Sequence, residues 1–378
     1  MESNGLSDAH LVTPLPEELF NITSAYFNTT VPADSSESFE RYVRIIVPTI
    51  FGFICVLGVF GNLLVIIVVL KDKHMINTTN ILILSLAVAD LLFLLFCVPF
   101  TATGYALPVL PFGPVVCKVT TYLMYVCAYA SVYTLVIMSL DRYLAVAHAI
   151  RSMHWRSERN TWLAVAIIWF VTLSGNIPII LQWDVHYYEW DEKENRSACI
   201  QMSELTDKST GKTFFGCFLF FGYIIPLGVT MLLYGLMLKR LLYGVVPGGG
   251  NQSAESMRAK KRVTRMVIIV VVIFAMCWLP IQIILFWQKL GFYPQTITNV
   301  IIMMAANCLA YMNSCVNPIL YAFLSGNFRR SFRKFLCCSE SARRLEYERT
   351  NIRFTVTEKE TNVTKSTCVN NSKTYTSV

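Results

Sequence analysis

Hydrophobic positions in this chain run in long unbroken stretches instead of alternating with polar ones. Ile45–Leu70 carries no charge, and Thr78–Ala106 carries one, Asp90. Val119–Leu140, Trp162–Trp183, Thr213–Leu238, Met266–Gln288 and Gln295–Leu324 follow. Crossing the roughly 30 Å of bilayer hydrocarbon takes about 20 mostly apolar residues at the helical rise, and each stretch is long enough. The pattern predicts an all-α membrane protein, a seven-transmembrane helix bundle. It divides the chain into a polar N-terminal tail (1–43), the bundle (44–325), a short amphipathic eighth helix (326–338) and a disordered C-terminal tail (339–378) rich in Ser and Thr.

The connections set the orientation, because Lys and Arg gather on the cytoplasmic side. Lys71 and Lys73 lie in the first connection, and Arg151, Arg156 and Arg159 in the third. Lys239, Arg240, Arg258, Lys260, Lys261 and Arg262 lie in the fifth, and Arg329, Arg330, Arg333 and Lys334 follow the last span. The second connection has no base before Lys118, the sixth has only Lys289, and the longer fourth has more acids than bases. The N-terminus is therefore expected outside the plasma membrane and the C-terminus inside. Composition agrees: 54% of residues are hydrophobic and 15% charged, against about a quarter charged in soluble domains. The net charge of +8 is a topology charge and not a nucleic-acid footprint. The N-terminal tail has no basic region followed by an apolar one, so no cleaved signal peptide is expected.

On the outer side, Asn21, Asn28 and Asn195 open glycan-acceptor triplets. Two of the 12 cysteines face the oxidising side, Cys117 at the end of the third stretch and Cys199 in the fourth connection. A disulfide between them would pin that connection across the bundle mouth. Cys337 and Cys338 follow the basic, aromatic stretch Asn327–Leu336 and are candidates for palmitoylation beside an interfacial helix.

Polar groups at membrane depth face the interior and find partners. Asn62, Asp90, Ser131, Asn313, Ser314 and Asn317 are such groups. A hard cation such as sodium fits their oxygens; a packing knot without an ion fits equally. Pro280 follows Cys277-Trp278-Leu279, and Pro318 sits between Asn317 and Tyr321, so each proline opens a hinge beside a large ring. Asp141-Arg142-Tyr143 closes the third stretch. Two charges at the inner end of a buried helix read as a latch.

In this order and on these spans, the motifs resemble those of rhodopsin-like G-protein-coupled receptors. They are Gly61-Asn62, Leu86–Asp90, Asp141-Arg142-Tyr143, Trp169, Pro226 with Tyr234, Cys277–Pro280 and Asn317–Tyr321. Phe112-Gly113, Met138–His148, Arg262–Val267 and Asn313–Pro318 are most similar to insect allatostatin-A receptors and the related galanin receptors. The resemblance spans about residues 45–338 and implies no enzymatic activity. It implies that Arg142 rests on Asp141, then turns toward Tyr234 and Tyr321 as the sixth span swings at Pro280, with Trp278 beneath the ligand. It implies a sodium ion held by Asp90, Ser131, Asn313, Ser314 and Asn317. Many relatives tie the sixth span to Arg142 with an acid where this chain has Lys260, so Thr264 is expected to supply a weaker hydrogen bond.

The ligand is constrained by absences. Met124 stands 18 residues before Arg142 where amine receptors have Asp, which also disfavours a somatostatin- or opioid-like ligand. Tyr311 stands where opsins have the retinal-linking Lys. The remaining wall, Tyr105, Met124, Tyr125, Gln282, Phe286, Asn307 and Tyr311, suits the aromatic-rich end of an amidated peptide. The expected ligand is of the allatostatin-A, Phe-Gly-Leu-amide type; another neuropeptide (galanin-, kisspeptin- or somatostatin/allatostatin-C-like) is the alternative. Expected partners are heterotrimeric G proteins with Gi/o favoured, receptor kinases, arrestin and membrane lipids. An ion-coupled transporter built on Asp90 is the remote alternative; no inverted repeat supports it. The five histidines all lie outside the span interiors, which leaves a zinc hydrolase without ligands.

Overall fold

The computed structural model describes residues 33–72, 75–191, 194–202, 208–243, 251–293 and 296–336. Seven helical spans form within them: Ser38–Lys71, Thr78–Ala106, Pro114–Ala147, Glu158–Gln182, Ser209–Arg240, Val267–Leu290 and Ile297–Phe323. We number them one to seven. Each covers most of an apolar stretch in the sequence, and several continue past it by a turn or more.

The spans close into a bundle by neighbour packing, one against two and seven, two against three and four, three against five, five against six, and six against seven. Span two is buried over 72% of its most apolar window and span four over 22%. Spans two and three are therefore the inner staves, and span four lies at the edge with its apolar side chains outward. Outward apolar side chains are what a lipid-facing surface requires. Phe51, Leu94, Cys97 and Ala310 belong to a core cluster shared by spans one, two, three, six and seven.

Prolines shape these helices in a way the local bonding explains. Pro318 has no N–H for the Ser314 carbonyl, and Asn62 Nδ2 donates to that carbonyl instead at 2.9 Å. The same amide donates to Gly58 O at 2.9 Å, so one side chain joins span one to the hinge of span seven. Glycine permits the approach. A Cβ on Gly61 would lie 2.9 Å from the Pro318 ring, and one on Gly58 would lie 2.6 Å from both Cys315 Sγ and Leu94 Cδ1. Spans two and five each contain a π-helical turn, Phe93–Cys97 and Phe220–Ile224, just before Pro99 and Pro226. Tyr133 Oη donates to the Phe221 carbonyl within the second turn at 3.0 Å.

The fourth connection differs from the expected loop. Trp183 does not end span four; it begins β1 (Trp183–Asp191), which pairs antiparallel with β2 (Glu194–Gln201). The Cys117–Cys199 disulfide, with Cα atoms 5.7 Å apart, ties this hairpin to span three as expected. Lys118 adds an ion pair to Asp184 at 3.0 Å. Ser197 fixes the far side, its N–H donating to Pro108 O and its Oγ accepting from Leu110 N.

The short helix Gly326–Leu336 forms a second unit. Phe328 and Phe332 lie one turn apart on it with ring centroids 5.6 Å apart, while Arg329, Arg330 and Arg333 are exposed. It is an amphipathic helix, apolar on one side and basic on the other.

Candidate functional site

At the hairpin end the bundle encloses a cavity of about 610 Å³, within the range of small-ligand pockets. Its wall is aromatic, with Phe100, Tyr105, Tyr125, Trp183 and Tyr188, and its polar side includes Glu40, Arg44, Thr101 and Arg196. Of the seven residues expected to meet a ligand, Tyr105, Met124 and Tyr125 line this cavity. Asn307 Nδ2 reaches Tyr105 Oη at 3.4 Å, and Tyr311 Oη donates to Thr101 Oγ1 at 3.1 Å, so both stand one side chain behind the wall. Gln282 is buried. The Phe286 ring lies beside Gly216, 3.5 Å from where a Cβ there would stand.

Sequence reasoning missed the charged mouth. Glu40 Oε1 accepts from Arg44 and from Arg196, each at 2.8 Å, which joins the outer turn of span one to β2. The i, i+4 spacing of Glu40 and Arg44 is a local signal for their pair. Nothing local marks Arg196, which the hairpin held by the Cys117–Cys199 disulfide and by Ser197 brings to Glu40.

Rings lead from the cavity wall into the core. Tyr105 meets Phe51, Phe51 meets Tyr311, Tyr311 meets Phe93, and Phe93 meets Trp278, with centroids 5.9, 4.9, 5.3 and 6.5 Å apart. Trp278 also packs on Phe274 one turn below it in span six. A contact at Tyr105 is thus joined to the Pro280 hinge region by packed rings.

Below lies the polar core. Asp90 is 2% exposed; Ser314 Oγ donates to its Oδ1 at 2.9 Å and Asn317 Nδ2 to its Oδ2 at 2.8 Å. Ser131 and Asn313 are buried too, although the hydrogen bonds to Asp90 come from span seven. No salt bridge to Asp90 exists among the described residues. Nor do three His, Cys, Asp or Glu side chains converge there. The donor set is hydroxyl, amide and one carboxylate, which fits a hard monovalent cation and not a thiolate- or imidazole-loving metal.

At the opposite end sits the latch. Arg142 Nε donates to Asp141 Oδ2 at 3.0 Å, and Arg142 Nη2 pairs with the same oxygen and with Thr79 Oγ1 of span two. Arg156 Nε donates to the other Asp141 oxygen, Oδ1, at 2.9 Å. The expected bond from Thr264 to Arg142 does not form. The hydroxyl of Thr264, on the inner continuation of span six (helix Asn251–Leu290), turns to Met237 Sδ, 3.9 Å away, so span two, and not the span six helix, provides the second hold. Tyr143 Oη lies 3.5 Å from His148 Nε2. The Tyr234 hydroxyl stands 3.2 Å from Ser139 Oγ, and Tyr321 is buried. Thr79, Ser139 and Arg156 are the partners that sequence reasoning did not name.

Asn195 is exposed on β2. Asn21, Asn28, Cys337, Cys338 and the tail 339–378 lie outside the described residues, as does the side chain of Lys260.

Residues 61–321 match the family described as 7 transmembrane receptor (rhodopsin family). Among individual proteins, an allatostatin-A receptor of Bombyx mori is 49% identical over 311 residues, 82% of this chain and 85% of that protein. A galanin-like G-protein coupled receptor of Caenorhabditis elegans is 41% identical over 325 residues, 79% of this chain and 75% of that one. Human galanin receptor type 1 is 38% identical over 301 residues, 79% and 83% of the two chains.

Proposed function

This chain belongs to the rhodopsin family of seven-transmembrane receptors, non-enzymatic multi-pass proteins of the plasma membrane, and we propose on that basis that it is a receptor for an amidated neuropeptide of the allatostatin-A type, coupled to heterotrimeric G proteins of the Gi/o class. The observation that carries the reading is the 49% identity to an allatostatin-A receptor over 82% of the chain. The wall of the cavity at the hairpin end supports it. Its aromatic side suits rings, and its hydroxyls, which both donate and accept, suit a neutral amide terminus. The mouth faces outside the cell, in keeping with the basic inner connections.

Activation proceeds as a change of partners. In the resting arrangement Arg142 is held by Asp141 and Thr79, and Tyr234 by Ser139. A ligand bearing on Tyr105 acts through the ring chain to Trp278 and favours outward movement of span six about Pro280. Arg142 then turns inward toward Tyr234 and Tyr321, and the opened end admits the G protein. A ligand shifts this equilibrium only by its differential affinity for the two states. A sodium ion, when bound, would neutralise the buried charge and favour the closed core; Asp90, Ser131, Asn313, Ser314 and Asn317 would hold it. Asp90 itself joins span two to span seven through Ser314 and Asn317, so the core and the Pro318 hinge respond together. Receptor kinases and arrestin are the proposed partners of the tail, Cys337 and Cys338 at the end of the eighth helix the palmitoylation sites, and Asn21, Asn28 and Asn195 the glycosylated positions.

The test is expression of the full chain in cells and a screen of amidated neuropeptides with Gi/o and Gq readouts in parallel. A response to peptides ending Phe-Gly-Leu-amide supports the reading. A response to galanin-type peptides alone would move the chain to the second reading, which the 38–41% identities to galanin-type receptors favour.

A further inference from the structure

Resting on the receptor switch proposed above, we infer that Arg156 is a positioning residue, the counter-ion that lets Asp141 release Arg142. The three side chains form one cluster, Asp141 8% exposed, Arg142 11% and Arg156 22%. Asp141 divides its two oxygens between them, Oδ2 to Arg142 and Oδ1 to Arg156 at 2.9 Å.

The connection that carries Arg156 is anchored to span three itself. Ser152 is 3% exposed; its N–H donates to His148 O at 2.9 Å and its Oγ to Leu144 O at 3.1 Å. Arg156 N–H in turn donates to Ser152 O at 2.9 Å. Nothing in this anchoring involves span six, so its movement leaves Arg156 beside Asp141.

The sign of the effect follows from charge. When Arg142 turns inward, a nearly buried carboxylate stays behind, and an unpaired buried charge is strongly unfavourable. Arg156 keeps it paired. At rest the two guanidinium groups share one carboxylate and repel each other, so Arg156 contributes less there than after Arg142 has left. Removing Arg156 therefore tightens the latch, whereas a residue that only reinforced the resting state would loosen it on removal.

The experiment compares the full-length wild type with R156Q, R156K and R156Q/D141N in membranes, at matched surface receptor number. Ligand-free nucleotide exchange on Gi/o is measured first, then exchange driven by a peptide ending Phe-Gly-Leu-amide. R156Q should lower ligand-free exchange by up to about 5-fold, because Arg156 pairs with Asp141 in both states and only the difference moves the equilibrium. R156K should restore it, and R156Q/D141N should restore or exceed it, because a neutral side chain leaves no charge behind and holds Arg142 less at rest. Unchanged or raised exchange in R156Q would overturn the inference, as would a double variant as low as R156Q. The ligand-free arm needs no peptide, so a wrong ligand assignment shows only in the second measurement. A wild type silent on Gi/o and on Gq, with and without peptide, would overturn the switch and the inference with it.

Discussion

Thr79→Val tests whether span two holds the switch at rest. Valine matches threonine in shape and removes only the hydroxyl that accepts from Arg142. Thr79 and Arg142 are both buried, so water replaces the lost acceptor poorly. Hydrogen bonds to charged groups contribute about 1.5–3 kcal/mol. Arg142 keeps its two bonds to Asp141, which places the expected loss at the lower end, about 1.5 kcal/mol, or roughly tenfold in the resting-to-active ratio. A receptor resting with about 1% in the active state would move to about 10%. Ligand-free nucleotide exchange in membranes, scaled to surface receptor number, should therefore rise roughly tenfold, with Thr79→Ser unchanged because it keeps the hydroxyl. Linkage adds a second demand: agonist potency should rise by up to the same factor, since less of the binding free energy opposes the latch. Equal ligand-free exchange in Thr79→Val, Thr79→Ser and wild type would refute the reasoning. So would a rise in exchange without any gain in potency.

Asp90→Asn should abolish the response of the receptor to sodium. In the unliganded wild type, the thermal midpoint should rise when NaCl replaces choline chloride, by linkage worth about 2.7 kcal/mol at a hundredfold excess over Kd; an equal rise in the variant would place the ion elsewhere. Gly58→Ala puts a Cβ 2.6 Å from Cys315 Sγ and Leu94 Cδ1, an overpacking that costs about 1–3 kcal/mol. Its detergent-solubilised midpoint should fall and Cys315→Ala should recover part of the loss; a midpoint equal to wild type means that spans one and seven are not this close. His186, on β1, has an Nε2 without a hydrogen-bond partner among the described residues, and burial lowers its pKa from 6.5. The hairpin therefore favours the neutral ring, and that stabilisation, full above the ordinary histidine value, is lost as pH falls through the lowered one. Intrinsic-rate-corrected hydrogen exchange of the hairpin amides should quicken between pH 7 and pH 5 in wild type and less in His186→Gln; the same change in both would exclude His186.

What the chain discloses of itself divides along physical lines. The seven spans are legible because lipid imposes one rule on every residue of a crossing segment, and only long apolar helices satisfy it. Span boundaries are less legible, since Trp183 extends an apolar run but pairs as a strand opposite Gln201. The segment Trp183–Asp191 does alternate, Trp183, Val185 and Tyr187 against Asp184 and His186, but the phase shifts at Tyr188 and the run is short. Its pairing with β2 makes it a strand. The disulfide to Cys117 and the contacts of Ser197 with Pro108 and Leu110 fix where the hairpin lies, through partners far off in the chain.

The site divides in the same way. Asn62 and Pro318 each leave a defined chemical need, a buried amide on one side and a carbonyl without a donor on the other, but only the packing of span one on span seven shows that they answer each other. Asp90 likewise needs donors at depth, and Ser314 and Asn317 are among the few polar groups at that depth. Asp141 and Arg142 satisfy each other, and that hides their remaining partners. A satisfied pair places no demand on the sequence around it, so nothing in the motif points to Thr79, 63 residues earlier, or to Arg156, 15 residues after Asp141. Lys260 sharpened the question by removing the acidic partner on span six, and Thr264 was the nearest hydroxyl by helical register. Register along one helix says nothing about which neighbouring helix lies closer, and span two is closer. The partners of a latch are a property of the packing. That is why residues outside the motif, Thr79 on one side and Arg156 on the other, are where its tightness is set.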